Sequence, residues 1–141
     1  IIRPGYTFGE PVVAGGSIEN DKRFENICSS LKTGTEIILI KNDGTQFIHA
    51  ADLARVFRAV LESKKRNEIY FGLGSKFITW ESISRTAAAI TSKPLRLKLE
   101  DKGYPDEPSL FDVSKIEKEF GLKFIPDTQI ENHLNYLINR S

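Results

Sequence analysis

His49, His133, Cys28 and the Gly72-x-Gly74 pair are the residues of this chain whose types could carry chemistry on their own. A histidine can act as a general base or a metal ligand, but neither His49 nor His133 has a second donor at a metal-binding spacing. Cys28 is the single cysteine, which excludes an internal disulfide and a multi-cysteine metal cluster. Beside Ile27 on a helical stretch it reads as a small core residue. Gly72-x-Gly74 could begin a G-x-G-x-x-G turn, whose backbone amides hold a pyrophosphate. The third glycine position is Phe77, so no complete phosphate cradle is present. On these residues the chain carries no catalytic set and no metal site.

Charge narrows the partners. Twenty basic against 19 acidic residues leave a net charge of +1, which gives no electrostatic case for nucleic acid or an anionic membrane. The most basic run, Lys64-Lys65-Arg66, falls at a predicted helix end, where cations complement the helix dipole. No leader and no long apolar run occur in the 141 residues, so the expected compartment is cytoplasmic. The length suits one domain with a modest core.

The elements that would position these residues alternate between strand and helix. A Gly/Pro-rich loop is expected over 10–20, then a helix with Phe24, Ile27 and Leu31 on one face, ended by Gly34. Ile37-Ile38-Leu39-Ile40 reads as a strand, Asn42-Asp43-Gly44 as a turn, and Phe47-Ile48-His49 as extended. Asp52 is expected to cap a helix whose apolar stripe is Leu53, Val56, Phe57, Val60 and Leu61. Ile69-Tyr70-Phe71 follows as a strand, then a helix capped by Thr79 with Trp80, Ile83, Ala87 and Ile90, stopped before Pro94. Leu95, Leu97 and Leu99 alternate with Arg96 and Lys98 as a half-exposed strand. Asp112 and Asp127 are expected to cap the last two helices, with Val113, Ile116 and Phe120 inward on the first. On the second, Ile130, Leu134, Leu137 and Ile138 face inward. The class is α/β or α+β, without internal repeats or low-complexity segments.

Ile1-Ile2 leading into Pro4-Gly5 reads as the end of a buried strand and the loop it feeds. A chain that opens in mid-strand and contains no methionine is expected to be the C-terminal part of something longer. The motifs agree. Arg3-Pro4-Gly5-Tyr6-Thr7-Phe8-Gly9 resembles the segment after the sixth sheet strand of extended short-chain dehydrogenases/reductases, the NAD-dependent epimerase/dehydratase family. Asn42-Asp43-Gly44-Thr45-Gln46 with Phe47-Ile48-His49-Ala50-Ala51-Asp52-Leu53-Ala54 resembles the family's "G-D-G … F-I-H-V-D-D-L-A" block. Ile69-Tyr70-Phe71-Gly72-Leu73-Gly74-Ser75 resembles "Y-N-x-G-x-G", and Asp112-Val113-Ser114-Lys115 with Phe120-Gly121 resembles "D-x-S-K … L-G". The four occur in family order and cover nearly the whole chain.

That resemblance implies an α/β fold: the C-terminal portion of an NAD(P)-binding Rossmann-type protein. It would comprise a small α+β substrate lobe plus Rossmann-edge pieces near 1–9 and 47–75, all within one fragment, 1–141. It implies a cofactor, NAD or NADP, in the parent, with Pro4 and Gly5 in the loop beneath the nicotinamide. None is expected to bind this segment alone. Family catalysis uses Tyr-x-x-x-Lys, in which a lysine lowers the tyrosine pKa. Tyr6, Tyr70, Tyr104 and Tyr136 are followed four residues later by Glu10, Gly74, Pro108 and Arg140, so the pair is missing. Substrate positioning remains. Tyr6 stands where an Asn often holds a substrate phosphate, and reads either as a substrate contact or as a loop aromatic sealing the core. Gln46 joins Phe47 directly where many sugar-nucleotide epimerases carry a diphosphate-binding Arg, which an amide cannot replace. Lys102 and Asp106 align with an Arg and an Asp that precede D-x-S-K, and read either as substrate contacts or as solvated loop charges. The equivalent of His49 is a scaffold residue, here hydrogen-bonded near the Asp52 cap.

The expected partners are a small-molecule substrate, with a nucleotide sugar the first choice, and the missing N-terminal half. Association with a second copy through uncovered strands is a further expectation. Two other readings stand beside this one: a binding or structural relative that kept the fold without catalysis, and an atypical reductase with a smaller substrate.

Overall fold

The protein is described here from a computed structural model that covers residues 1–13, 16 and 21–140. Part of the loop expected over 10–20 therefore lies outside the described residues. In chain order the elements are β1 (Ile2–Pro4), β2 (Thr7–Phe8), α1 (Arg23–Thr33), β3 (Ile37–Ile40), β4 (Gly44–Thr45) and β5 (Ile48–His49). There follow α2 (Ala50–Glu62), β6 (Tyr70–Gly72), β7 (Ile78–Thr79), α3 (Trp80–Thr91), β8 (Leu97–Glu100), α4 (Ser114–Phe120) and α5 (Asp127–Asn139). The class is α/β.

The strands pair two by two. β1 runs parallel to β6 with Ile2 opposite Tyr70, and β2 runs parallel to β5 with Phe8 opposite His49. β3 runs parallel to β8 with Ile37 opposite Leu97, while β4 and β7 are antiparallel. Parallel strands need long crossovers, and here the crossovers carry the helices.

Two hydrophobic cores result. The larger joins α1, α3 and α5 around Phe24, Phe47, Trp80 and Leu134, and the smaller joins β6, α2 and α4 around Ile48, Val56, Tyr70 and Ile116. The α2 stripe is only half used. Val56 is fully buried and Leu53 and Val60 pack against the smaller core, whereas Phe57 is 44% and Leu61 81% exposed. A helical period fixes which residues share a face; it does not fix how far the neighbouring elements extend over that face.

Local signals set several helix ends as expected. Thr79 accepts the Ser82 N–H at 3.1 Å, which caps α3. Gly34 and Gly121 adopt the left-handed conformation and close α1 and α4. Other expected caps move. The cap of α2 is His49, whose Nδ1 accepts the Ala51 N–H at 3.2 Å. Asp52 lies inside the first turn instead, buried and bonded to Gln129 of α5 at 2.7 Å and to Arg55 at 3.3 Å. Asp112 accepts the Ser114 N–H at 2.8 Å from one residue before the cap position, Val113. Asp127 is the first residue of α5, and its carboxylate takes Lys76 at 2.6 Å. Leu95 lies outside β8, which starts at Leu97.

Gly44 is where the backbone allows no side chain. A Cβ there would fall 2.2 Å from the Ile78 carbonyl oxygen and 2.7 Å from the Thr79 Cα across the β4–β7 pair. Backbone cannot rotate away as a side chain can. Gly44→Ala should therefore destabilise the protein by about 1–3 kcal/mol or more, and Thr79→Ala, which removes only a cap, by about 1 kcal/mol. Urea unfolding of both variants checks the ranking; equal midpoints would contradict it.

Candidate functional site

The loop between β1 and β2 carries the first candidates. Pro4 ends β1 and is exposed, and the Gly5 N–H donates to the Gly72 carbonyl at 3.1 Å. A Cβ on Gly5 would lie 2.0 Å from Leu73 Cδ2, so the glycine face is filled by Leu73 rather than open to a ligand. The chain then turns the Tyr6 ring inward against Phe47 (5.0 Å), Trp80 (5.4 Å) and Phe24 (6.2 Å).

The Tyr6 hydroxyl donates to Asp21 at 2.7 Å. Asp21 also accepts the Arg23 N–H at 2.9 Å and the Arg23 Nε at 2.7 Å. Burial pushes the Asp21 carboxyl up, but these three donors outweigh it and hold the group below its ordinary value. Arg23 lies over the Trp80 ring at 4.4 Å, a cation–π geometry. Its guanidinium also reaches the Asp43 carboxylate at 3.7 Å.

Asp43 passes the connection on. Its carbonyl accepts the Trp80 N–H at 2.9 Å, which fixes the 42–44 turn to the start of α3. Asn42 sits at positive φ, a left-handed conformation that Asn tolerates. Its amide donates to Asp106 Oδ1 at 2.9 Å and to the Tyr104 carbonyl at 3.1 Å. Asn42, Asp106, Phe77, Thr79, Pro105 and Pro108 line a cleft of about 260 Å³. Tyr6 and Asp106 thus stand at the two ends of one relay through Asp21, Arg23 and the 42–44 turn. Lys102 is outside the cleft lining, 3.6 Å from Glu100.

Gln46 is 3% exposed, and its amide is spent on backbone. Its Nε2 donates to the Gly74 and Phe111 carbonyls at 3.0 and 3.1 Å, and its Oε1 accepts the Phe111 N–H at 2.8 Å. This clasp fastens the irregular segment that carries Asp106 to the core. The four substrate candidates therefore differ in placement: Asp106 lines the cleft, Tyr6 braces it, Gln46 anchors its wall and Lys102 stands apart.

Gly72 and Gly74, the nearest approach to a phosphate-binding turn, serve close internal packing: Cβ atoms there would meet Leu53 Cδ1 at 2.6 Å and the Phe47 carbonyl oxygen at 2.3 Å. Tyr70 has a lysine nearby, with Lys115 Nζ 4.6 Å from its ring centre. Its hydroxyl bonds Glu119 at 2.6 Å, and that bond, with burial and the carboxylate charge, pushes its pKa up to about 12. The bond to Glu119 commits this hydroxyl to a partner within the fold. The cleft, with one amide, one carboxylate and apolar walls, suits binding and orientation of a polar molecule.

Asp21, Arg23 and Asn42 were not among the sequence candidates. Asn42-Asp43-Gly44 was legible as a turn, but its bond to Asp106 joins residues far apart in the chain and left no local signal.

No protein-family model and no curated protein matches the chain. Solved structures do. UDP-glucuronic acid 4-epimerase from Bacillus cereus, in complex with UDP-glucuronic acid and NAD, matches 99% of this chain at 18% identity and TM-score 0.74. dTDP-glucose 4,6-dehydratase from Bacillus anthracis with NAD matches 99% at 14% identity and TM-score 0.73. UDP-glucose 4-epimerase from Thermus thermophilus with NAD matches 99% at 13% identity and TM-score 0.69. The chain spans only 45%, 44% and 46% of those proteins. The fold is that of the C-terminal portion of the Rossmann-like extended short-chain dehydrogenases/reductases.

Two variants probe the site's supports. Tyr6→Phe deletes one donor to Asp21 and should cost about 1 kcal/mol at pH 7. Because the folded carboxyl is held low, its stabilisation exists above the ordinary aspartate range and is lost as pH falls through the folded value. The difference from wild type should therefore shrink toward pH 3 in urea unfolding; a difference that is constant with pH would disprove the linkage. Gln46→Leu strands the Phe111 N–H and should cost about 1–3 kcal/mol, with faster amide exchange at Phe111. Unchanged exchange there would show that the clasp does not hold this segment.

Proposed function

We propose that this chain is the substrate-binding half of an NAD- or NADP-dependent epimerase/dehydratase that acts on a nucleotide sugar or a related alcohol by transient hydride transfer. The observation that carries the proposal is the fold match over 99% of the chain to enzymes named for UDP-glucuronic acid, dTDP-glucose and UDP-glucose. A nicotinamide supplies the hydride chemistry when bound, and the Gly-rich turn and tyrosine–lysine pair that serve it belong to the N-terminal Rossmann half. This chain's own residues bind and orient. Asp106 offers a carboxylate and Asn42 its amide oxygen to a substrate hydroxyl, Phe77 and two prolines supply an apolar wall, and Lys102, outside this lining and beside Glu100, is the proposed contact for a substrate anion beyond the cleft. Tyr6 and Gln46 act behind the contact surface; of the loop proposed to run beneath the cofactor, Pro4 is exposed and Gly5 packs on Leu73.

In this reading the pieces near 1–9 and 47–75 are edge elements of the parent's sheet and the remainder is the substrate lobe. The β1–β6 pair supports that division. Parallel strands are stable when both faces are covered, and here Ile1 is 75%, Ile69 40% and the neighbouring Phe111 61% exposed. The N-terminal half covers that face in the parent; in the isolated chain a second copy would. No helix among the described residues is long and apolar enough to cross a membrane, and the cytoplasm is the proposed compartment.

The hydrogen bonds that occupy Tyr6 and Gln46 favour a second reading, a relative that kept the fold and lost sugar-nucleotide catalysis. Calorimetric titration of the isolated chain with NAD and NADP should show no heat of binding, whereas a micromolar dissociation constant would sink the half-site proposal. The sequence preceding Ile1 then separates the readings: intact Gly-rich and Tyr-x-x-x-Lys motifs support the enzyme, and loss of both supports the non-catalytic relative.

A further inference from the structure

β3 has a neighbouring strand on one side, β8, and an open edge on the other. The Ile37 N–H donates to the Arg96 carbonyl at 2.8 Å and the Lys41 N–H to the Glu100 carbonyl at 2.9 Å. Backbone groups alternate along a strand, so Ile37, Leu39 and Lys41 face β8, and Ile38 and Ile40 face away from it. Among the described residues, the Ile38 N–H and carbonyl and the Ile40 N–H have no hydrogen-bond partner. The Ile40 carbonyl accepts the Asp43 N–H at 3.2 Å and keeps a second lone pair. Side chains alternate as well: Ile37 and Leu39 turn to the larger core, while Ile38, 55% exposed, lies with Ile40 on the outer face. Along the open edge runs a groove of about 240 Å³, walled by Arg23, Ile27 and Ser30 of α1 and by Ile37, Ile38 and Leu39.

The two outer edges of the β3–β8 pair differ in their guards. Along β8, Arg96, Lys98 and Glu100 alternate with leucines, and Asp101 and Lys102 follow. Such charges keep an edge from pairing. β3 has none inside its run Glu36-Ile37-Ile38-Leu39-Ile40-Lys41, only an acid before it and a base after it.

We propose that β3 is a self-association edge: two copies of this chain pair their β3 strands antiparallel about a two-fold axis, giving one sheet in the order β8-β3-β3-β8. The free groups set the register, because only residues that face away from β8 can form hydrogen-bonded pairs across the new contact. Ile38 opposite Ile40 of the second copy meets that condition, and the symmetry repeats the pair. Shifting the strands so that Ile38 meets its own counterpart would set Ile40 against Glu36, apolar against charged. In the preferred register the axis passes Leu39, and the groove beside α1 gives the second copy's Leu39 room. The charges also fit a second copy. Antiparallel pairing brings the Glu36 end of each strand to the Lys41 end of the other. Glu36 has no ion pair among the described residues, and Lys41 has the Asp106 carboxylate at 3.9 Å. On the outer face Ile38 lies beside Lys98 and Ile40 beside Glu100. Each row of the joined sheet therefore runs from Lys98 of one copy through two isoleucines to Glu100 of the other. The guarded β8 edges end the sheet at two copies. This edge is separate from the β1–β6 face, and its pairing holds whichever function the chain serves.

Sedimentation velocity and amide hydrogen exchange on the 141-residue chain, over an about hundred-fold range of concentration, test the proposal. A dimer should form as concentration rises, with new protection at the Ile38 and Ile40 amides. Ile37 and Leu39, already bonded to β8, and Leu97 and Leu99, on the guarded edge, should change little. Ile38→Lys, at an exposed position, should weaken dimerisation at least about ten-fold. Glu36→Lys should weaken it as well, and adding Lys41→Glu should restore it. A chain that stays monomeric throughout overturns the edge, and so does new protection at Leu97 and Leu99 in place of Ile38 and Ile40. A dimer that Ile38→Lys leaves unchanged would lie on another face and also overturns it.

Discussion

Four consecutive residues, Gln46 to His49, hold the molecule together, because successive side chains of an extended segment point to opposite sides. Phe47 points into the larger core, within 5.0 Å of both Tyr6 and Trp80, and Ile48 points into the smaller one. The flanking residues fix the ends of this stitch: Gln46 by its clasp to Gly74 and Phe111, His49 by capping α2. Gly74 must be a glycine because a side chain would strike the Phe47 carbonyl at 2.3 Å. Neither core could keep its position relative to the other if this segment slipped by one residue, since a slip exchanges the faces.

The candidate site inherits its rigidity from that arrangement. Asp106 stands on a segment without regular structure, yet it is tied at both ends of its reach, by Asn42 through the turn and by Gln46 through Phe111. On the other side Asp21, Arg23 and Tyr6 form a compact charge cluster over Trp80. Their charges balance internally, which leaves the Asn42–Asp106 edge as the polar feature that faces the cleft. The bonds at Asn42 and Gln46 fix this loop to the rest of the fold.

The fold match and the chemistry point in complementary directions. Nearly the whole chain follows the C-terminal portion of proteins more than twice its length. Tyr70, the tyrosine with a lysine over its ring, is raised to about 12 rather than lowered.

Much of the architecture was legible in the residues. Ile37–Ile40 formed a strand, Thr79 and Gly34 set helix ends, and the four motif blocks pointed to the right fold, because hydrophobic period, caps and turn residues act over a few positions of chain. The partners of those positions were not legible. Asp52 reads as a cap but pairs with Gln129, the outer half of the α2 stripe stays exposed, and Gly72 and Gly74 pack against Leu53 and Phe47 rather than cradle a phosphate. Gln46 carries no local mark of the bonds it makes. The sequence by itself determined the helices and the longer apolar strands, since helix hydrogen bonds, caps and side-chain spacing are local; the short strands β2, β4 and β7 exist only through pairing with distant chain. Only the tertiary structure decided which polar groups meet, because a buried amide or imidazole takes whichever partner the packing of distant elements leaves within about 3 Å.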